Sequence, residues 1–201
     1  MKTVVNWCLV WLVAFLLLGF GCQRKESRPN DTEGFDSRRV PDSLVVEASI
    51  LLNKGVEYYN SGYYLKAIEL YRQSLSSVGD FPEAYYNMGL AFRKLNQIDS
   101  SIAAYGRALA LKGDYPQALN NLAFIYLQYR PDLNQALPLS ERAVMLKPLN
   151  PDFLDTYARI LFSLGRVDSA CIVLEKAVFL AEDPTEMKAR LAVYKSAKHR
   201  N

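Results

Sequence analysis

Histidine is nearly absent from this chain of 201 residues: the single copy, His199, stands in the C-terminal tail, where a folded site is not expected. The usual proton shuttle and metal ligand is therefore missing from the body of the protein. No glycine-rich phosphate loop occurs either, and the ten glycines are spaced as turns and helix crossings. Basic residues form no long run, and 24 of them against 21 acidic ones leave a formal charge of +3. That balance argues against a nucleic-acid partner. Cysteine is scarce as well. Cys8 lies in an apolar N-terminal run, Cys22 at its end, and Cys171 is left without a mate, so no intramolecular disulfide is expected. Cys171 follows Ala170 on an apolar helix face and reads as a small core residue. Glu83, Asp152 and Asp155 could share a surface, but they read as solvated charges. These gaps together exclude most enzyme classes and leave no expected catalytic residue, cofactor, metal or small-molecule substrate.

What is present is one unit of sequence written more than once. A shift of 34 residues carries Gly55 onto Gly89, Tyr58 onto Phe92, Ala67 onto Ser101, Tyr71 onto Tyr105, Ser74 onto Ala108 and Leu75 onto Leu109. A fixed period of this length marks stacked helix–turn–helix units rather than a closed globule. Gly55 and Gly89 offer no side chain where two helices must approach, and the aromatics fill the space between them.

The units can be followed in order. Pro41-Asp42-Ser43 opens a helix over 43–60 with Asp42 or Ser43 as its N-cap. Gly62 ends it, and a second helix over 64–77 carries Leu65, Ile68, Tyr71 and Leu75 on one face. Residues 82–95 and 98–111 repeat the design. A third unit starts near Pro116 and departs from the period at Tyr129-Arg130-Pro131-Asp132-Leu133, where the turn is one residue longer. Pro138 removes a helical hydrogen bond, so the next helix is expected to begin late, near Asn134, or to kink at Pro138. A fourth unit starts near Pro151. A last helix over 184–198, with Met187, Leu191 and Tyr194 on one face, reads as the terminal cap.

The first 21 residues are different material. Lys2 precedes an apolar run from Val4 to Gly21, the make-up of an export signal. Gly19-Phe20-Gly21-Cys22 resembles the lipobox of bacterial lipoproteins, which implies that Cys22 is the lipidated first residue of the mature chain. The match departs from that family's pattern in having Leu18 one position early. An uncleaved signal anchor and simple secretion are the competing readings, and Arg24, Lys25 and Arg28 beyond the run oppose the anchor orientation. Residues 22–42 are rich in both signs of charge, with Pro29, Gly34 and Pro41 as breakers, and read as a disordered tether.

The second unit holds Tyr85, Met88-Gly89, Phe92, Ser101, Tyr105 and Ala108, an arrangement that resembles the tetratricopeptide repeat (TPR) family. That resemblance implies an all-α fold: a right-handed α-solenoid of about four repeats, near 48–81, 82–115, 116–150 and 151–184, closed by a capping helix over 185–198. It also implies a concave groove walled by the first helix of each unit. Carried over by position, the wall holds Asn53, Val56, Tyr59, Tyr86, Asn87, Leu90, Arg93, Asn121, Phe124 and Arg159, with Leu52, Lys94, Asn120, Leu127, Asp155, Thr156 and Phe162 around them.

Asn53, Asn87 and Asn121 form a ladder of amides. It reads either as a set of contacts to a bound polypeptide backbone or as braces between neighbouring helices. Leu52 and Val56 occupy places where carboxylate-clamp members of the family carry lysine and asparagine, so no such clamp is expected. The implied function is a protein–protein interaction scaffold, held in the bacterial cell envelope by the lipid on Cys22, facing the periplasm and binding a protein or peptide segment. The alternative is a permanent structural subunit of an envelope assembly machine, in outer-membrane assembly or in pilus or secretion biogenesis. The two differ in whether the second helices leave an apolar outer surface.

Overall fold

The computed structural model describes residues 41–198. The expected export signal, Cys8, Cys22, residues 22–40 of the tether and His199 lie outside the described residues. Within them the chain forms nine α-helices and no strand: α1 Asp42–Asn60, α2 Tyr64–Val78, α3 Pro82–Lys94, α4 Ile98–Leu111, α5 Pro116–Gln128, α6 Leu133–Leu146, α7 Pro151–Ser163, α8 Val167–Leu180 and α9 Thr185–Lys198. Four antiparallel pairs, α1–α2, α3–α4, α5–α6 and α7–α8, stack in sequence order. Each second helix packs on the first helix of the next pair, and α8 packs on α9. This is a helical solenoid, in which each unit buries its apolar faces against its neighbours.

Local chemistry explains the bounds. Pro82, Pro116 and Pro151 open the first helices of the later units, where the missing N–H has no helical partner to lose and the fixed φ suits the first turn. α1 starts one residue earlier than the sequence suggested. Its N-cap is Pro41, and neither Asp42 nor Ser43 caps it with a side chain. Instead the Pro41 carbonyl accepts from the amides of Leu44 and Val45, and Asp42 lies in the first turn, where a negative charge suits the helix dipole.

Three of the four intra-unit turns are alike. Gly62, Asn96 and Gly165 have positive φ, and each donates its amide three residues back while the next residue donates five residues back, as in Tyr63 to Tyr58 and Gln97 to Phe92. That pair of bonds is the Schellman closure, which needs a left-handed residue after the helix. In the third unit the equivalent place is Arg130. The chain there inserts a residue, and the amide of Asp132 donates to the Tyr126 carbonyl. The Asp132 carboxylate then caps α6 by accepting from the amides of Asn134 and Gln135. That cap starts α6 at Leu133, with Pro138 inside it. The Asn134 carbonyl loses its usual partner, and both residues are exposed, so water can satisfy it.

The core is a row of helix crossings. A Cβ on Gly55 would lie 2.4 Å from a ring carbon of Tyr71, and one on Gly89 2.6 Å from the equivalent carbon of Tyr105. Both rings are fully buried. The Ser101 hydroxyl donates to the Gly89 carbonyl at 2.8 Å. Counting the inserted residue, the matching places in the later units hold Ala123 with Ser140 and Ala158 with Leu174, all buried. Cys171 is a free, buried cysteine of the last cluster.

Candidate binding groove

The wall expected to bind a partner consists of first helices, and these meet directly: α1 touches α3, and α5 touches α7. Side chains complete the line between α3 and α5. The Asn121 amide donates to the Tyr86 hydroxyl at a long 3.4 Å, and the Arg93 guanidinium carbon lies 5.9 Å from the centroid of the Phe124 ring. From α7, the Arg159 guanidinium carbon lies 5.1 Å from the same centroid, and its Nη2 donates to Gln128 at 2.8 Å. Phe124 therefore has two cations within 5.9 Å of its ring centre, drawn from the units before and after its own.

The three asparagines, identical in register, have three different surroundings. Asn53 is exposed, Asn87 is half-buried, and Asn121 is half-buried and leans on Tyr86. Tyr59 packs edge-on against Tyr64 of its own unit. Tyr86 lies between Tyr105 and Tyr115, at centroid distances of 5.9 and 5.0 Å. Leu52 and Val56 pack on the core of the first two units, and Leu90 on the next cluster along.

Three of the outer groove residues are occupied from within the protein, and a fourth, Asn120, is buried. Phe162 stacks on Tyr194 of the cap helix at 3.9 Å, and Asp155 pairs with Arg190 of the same helix. Thr156 is buried and bonds back to the Asp152 carbonyl. Asn120 is only 8 % exposed, and its side-chain oxygen has no hydrogen-bond partner.

The electrostatics centre on Arg93. Arg93 and the buried Tyr105 hydroxyl act on each other, but neither Arg93 Nε nor that hydroxyl makes a hydrogen bond of full geometry. Burial pushes the phenols of Tyr59, Tyr86 and Tyr105 above their ordinary range, and the charge of Arg93 opposes each shift. These phenols stay neutral at physiological pH and supply no counter-ion. Asp155 is also lifted above the usual carboxylate range by burial, against the pull of Arg190 and Arg159.

The sequence did not reveal the convergence of Arg93 and Arg159 on Phe124. The two arginines stand at different places in their units and become neighbours only through the stacking of three helices. Among the described residues no cluster of three His, Cys, Asp or Glu could hold a metal ion, and no helix is long and apolar enough to cross a membrane.

Comparison with known proteins agrees with this architecture. Residues 48–77 match the family model described as tetratricopeptide repeat, and residues 89–128 one described as TPR repeat. No curated protein matches the chain. Among solved structures, MamA from Desulfovibrio magneticus RS-1 is 17% identical, over 80% of this chain and 88% of that one, with a TM-score of 0.69. TTC0263, a thermophilic TPR protein of Thermus thermophilus, is 24% identical over 76% and 84%, with a TM-score of 0.61. MamA of AMB-1 is 22% identical over 77% and 84%, with a TM-score of 0.62. At such identities the likeness is one of fold. Two stretches of the chain thus match TPR repeat models in sequence, and these solved structures share its helical solenoid.

Proposed function

We propose that the protein is a membrane-anchored interaction scaffold of the bacterial cell envelope, facing the periplasm and holding a polypeptide segment against its first helices. TPR units indicate a protein or peptide partner and are generally non-enzymatic. The observation that carries the groove reading is the continuous wall from α3 through α5 to α7, where Tyr86, Asn121, Arg93, Phe124 and Arg159 join three units into one surface. A surface with aromatic bodies and polar tips suits a peptide, whose backbone needs hydrogen bonds and whose side chains need apolar contact. The anchor rests on the lipobox-like Gly21-Cys22 alone.

Photo-crosslinking from position 87 in living cells tests the groove. The expected result is a discrete protein attached there and not at exposed Lys176 on α8. Failure to capture any protein at 87, with the same probe active elsewhere on the chain, overturns it. For the anchor, Cys22→Ser should abolish fatty-acid labelling and release the domain from membranes. Membrane retention of that variant, with no label on the natural chain, would favour an uncleaved anchor instead.

A second reading has an observation of its own. Met145, Ile172 and Phe179, on the second helices α6 and α8, are 71, 68 and 87 % exposed. Large apolar side chains on an outer surface suit a permanent subunit contact. Crosslinking from position 179 separates the readings: a stable partner there, resistant to high salt, marks the permanent subunit.

A further inference from the structure

Exposed arginines among the described residues that reach a neighbouring element are paired with carboxylates. Arg107 pairs with Asp80, Arg130 with Asp99 and Arg142 with Asp114, each bridging neighbouring elements. Only three described arginines are partly buried: Arg93, Arg159 and Arg190. Arg190 has Asp155. Arg93 and Arg159 form no ion pair with any described carboxylate, and they are the two that converge on Phe124 in the wall. Arg72 and Arg166 also lack one, but both are exposed, where water solvates a guanidinium at little cost.

Two cations near one ring repel each other, and the half-buried Arg93 has a buried Nε with no hydrogen bond of full geometry, its guanidinium supported only by the neutral Tyr105 hydroxyl. The neighbouring phenols cannot compensate, because burial keeps them protonated. Arg159 relieves part of its need on Gln128, a neutral acceptor. Asp155 attracts Arg159 but is paired with Arg190, so Arg93 and Arg159 have no carboxylate of their own, and the planar fork of a guanidinium matches a carboxylate in geometry. The Phe124 ring beside both cations would exclude water and strengthen the contact.

Resting on the groove reading above, we infer that Arg93 and Arg159 form a carboxylate-binding subsite over Phe124, so that the polypeptide held in the groove is an acidic one. The carboxylate is that of an Asp or Glu side chain of that segment. The site differs in position from a carboxylate clamp of the family, whose places are taken here by Leu52 and Val56.

The test uses the full chain in detergent and fluorescein-labelled peptides of alternating glycine and glutamate, or glycine and glutamine, both amidated at the C-terminus. A third peptide has the glutamine sequence with a free C-terminus. Fluorescence anisotropy at low salt should give the glutamate peptide an affinity about tenfold above its glutamine isostere, and the advantage should shrink with added salt. Arg93→Gln with Arg159→Gln should erase that advantage, while Arg72→Gln and Arg107→Gln should keep it. Thermal melting checks that each variant is folded. If the third peptide alone gains affinity, the subsite takes a chain terminus and the acidic-segment inference is overturned; a gain by the glutamate peptide supports it.

The inference is overturned if the carboxylate peptides bind no tighter than glutamine, or if their advantage survives the double substitution. Equal binding of all three, lost on Leu90→Glu, would keep the groove and remove carboxylate selection. A carboxylate preference that depends on Arg93, with no protein captured from position 87, would keep the subsite and remove the polypeptide reading.

Discussion

In the first two units a bare backbone lies under a tyrosine ring; in the last two an alanine stands in the place of that glycine and a smaller side chain in the place of the ring. Gly55 with Tyr71 and Gly89 with Tyr105 make the first kind of crossing, and Ala123 with Ser140 and Ala158 with Leu174 occupy the same places in the second. Both kinds fill the space between two helices, but they divide it differently. A ring claims the volume of a Cβ, so glycine is required even at its cost in helix propensity. A serine or leucine leaves that volume free, and alanine recovers the propensity. Close packing constrains the sum of the two side chains rather than either one.

The largest expected effect comes from breaking the first kind of crossing outright. Gly89→Leu places a branched side chain where a single Cβ already meets the buried Tyr105 ring at 2.6 Å. It should cost about 3 kcal/mol, the upper part of the overpacking range, and lower the melting temperature by ~6–12 °C. An unchanged melting curve would mean that the register given for these crossings is wrong.

Converting one kind of crossing into the other sharpens the comparison. Gly89→Ala alone should destabilise by about 1–2 kcal/mol. Adding Tyr105→Leu, which copies Ala158 with Leu174, should make the double variant more stable than the sum of the two single losses by about 1 kcal/mol. Strict additivity in denaturant titrations would show that the two sites do not share a volume. The reverse change, Ala158→Gly, should cost about 1 kcal/mol through helix propensity.

The halves also differ in how acid acts on their arginine pairs. Asp80, exposed between the first two units, is held below the ordinary carboxylate range by hydrogen bonds from Tyr85 and Arg107. Its stabilising contribution is present above the unfolded-state pKa and is lost as pH falls through the lower folded value. Asp155, buried under the cap helix, is lifted by desolvation, so its contribution has the opposite sign. It is present below the unfolded-state pKa and lost as pH rises through the raised folded value. Comparing wild type with Asp80→Asn and with Asp155→Asn across pH 3–6, an interval set about the ordinary carboxylate values, should give stability differences with opposite slopes. Parallel slopes would contradict the assigned environments. The smallest effect belongs to the exposed Arg130–Asp99 pair: Asp99→Ala should change stability by under ~1 kcal/mol in urea titration.

Much of the fold was legible because its determinants are local and periodic. The 34-residue shift, the three opening prolines and Gly62 set nearly every helix bound, and residues 98–111 match α4 without adjustment. The glycine crossings were legible because nothing else explains a glycine in mid-helix facing an aromatic about two turns into the next helix. The groove was less so. Asn53, Asn87 and Asn121 share a register but not a surrounding, since exposure depends on neighbouring units that differ in side chains. Phe162 and Asp155 have the right positions for the wall, yet the cap helix covers them with Tyr194 and Arg190, a contact no single unit encodes. The arginine pairs were hidden because their separations, 27, 31 and 28 residues, do not follow the period.

The extra residue in the turn over 129–132 has a consequence for how such a chain can change. The recognisable family match ends at residue 128, immediately before it, yet α6 through α9 continue the stack. Because each helix rests only on those near it in sequence, a lengthened turn asks for accommodation from one hairpin and from nothing else. A closed core would have to be repacked throughout after the same insertion. An array built this way can therefore lose its sequence signature one unit at a time while the surface it presents stays continuous, and similarity of sequence is a poor measure of how far its architecture extends.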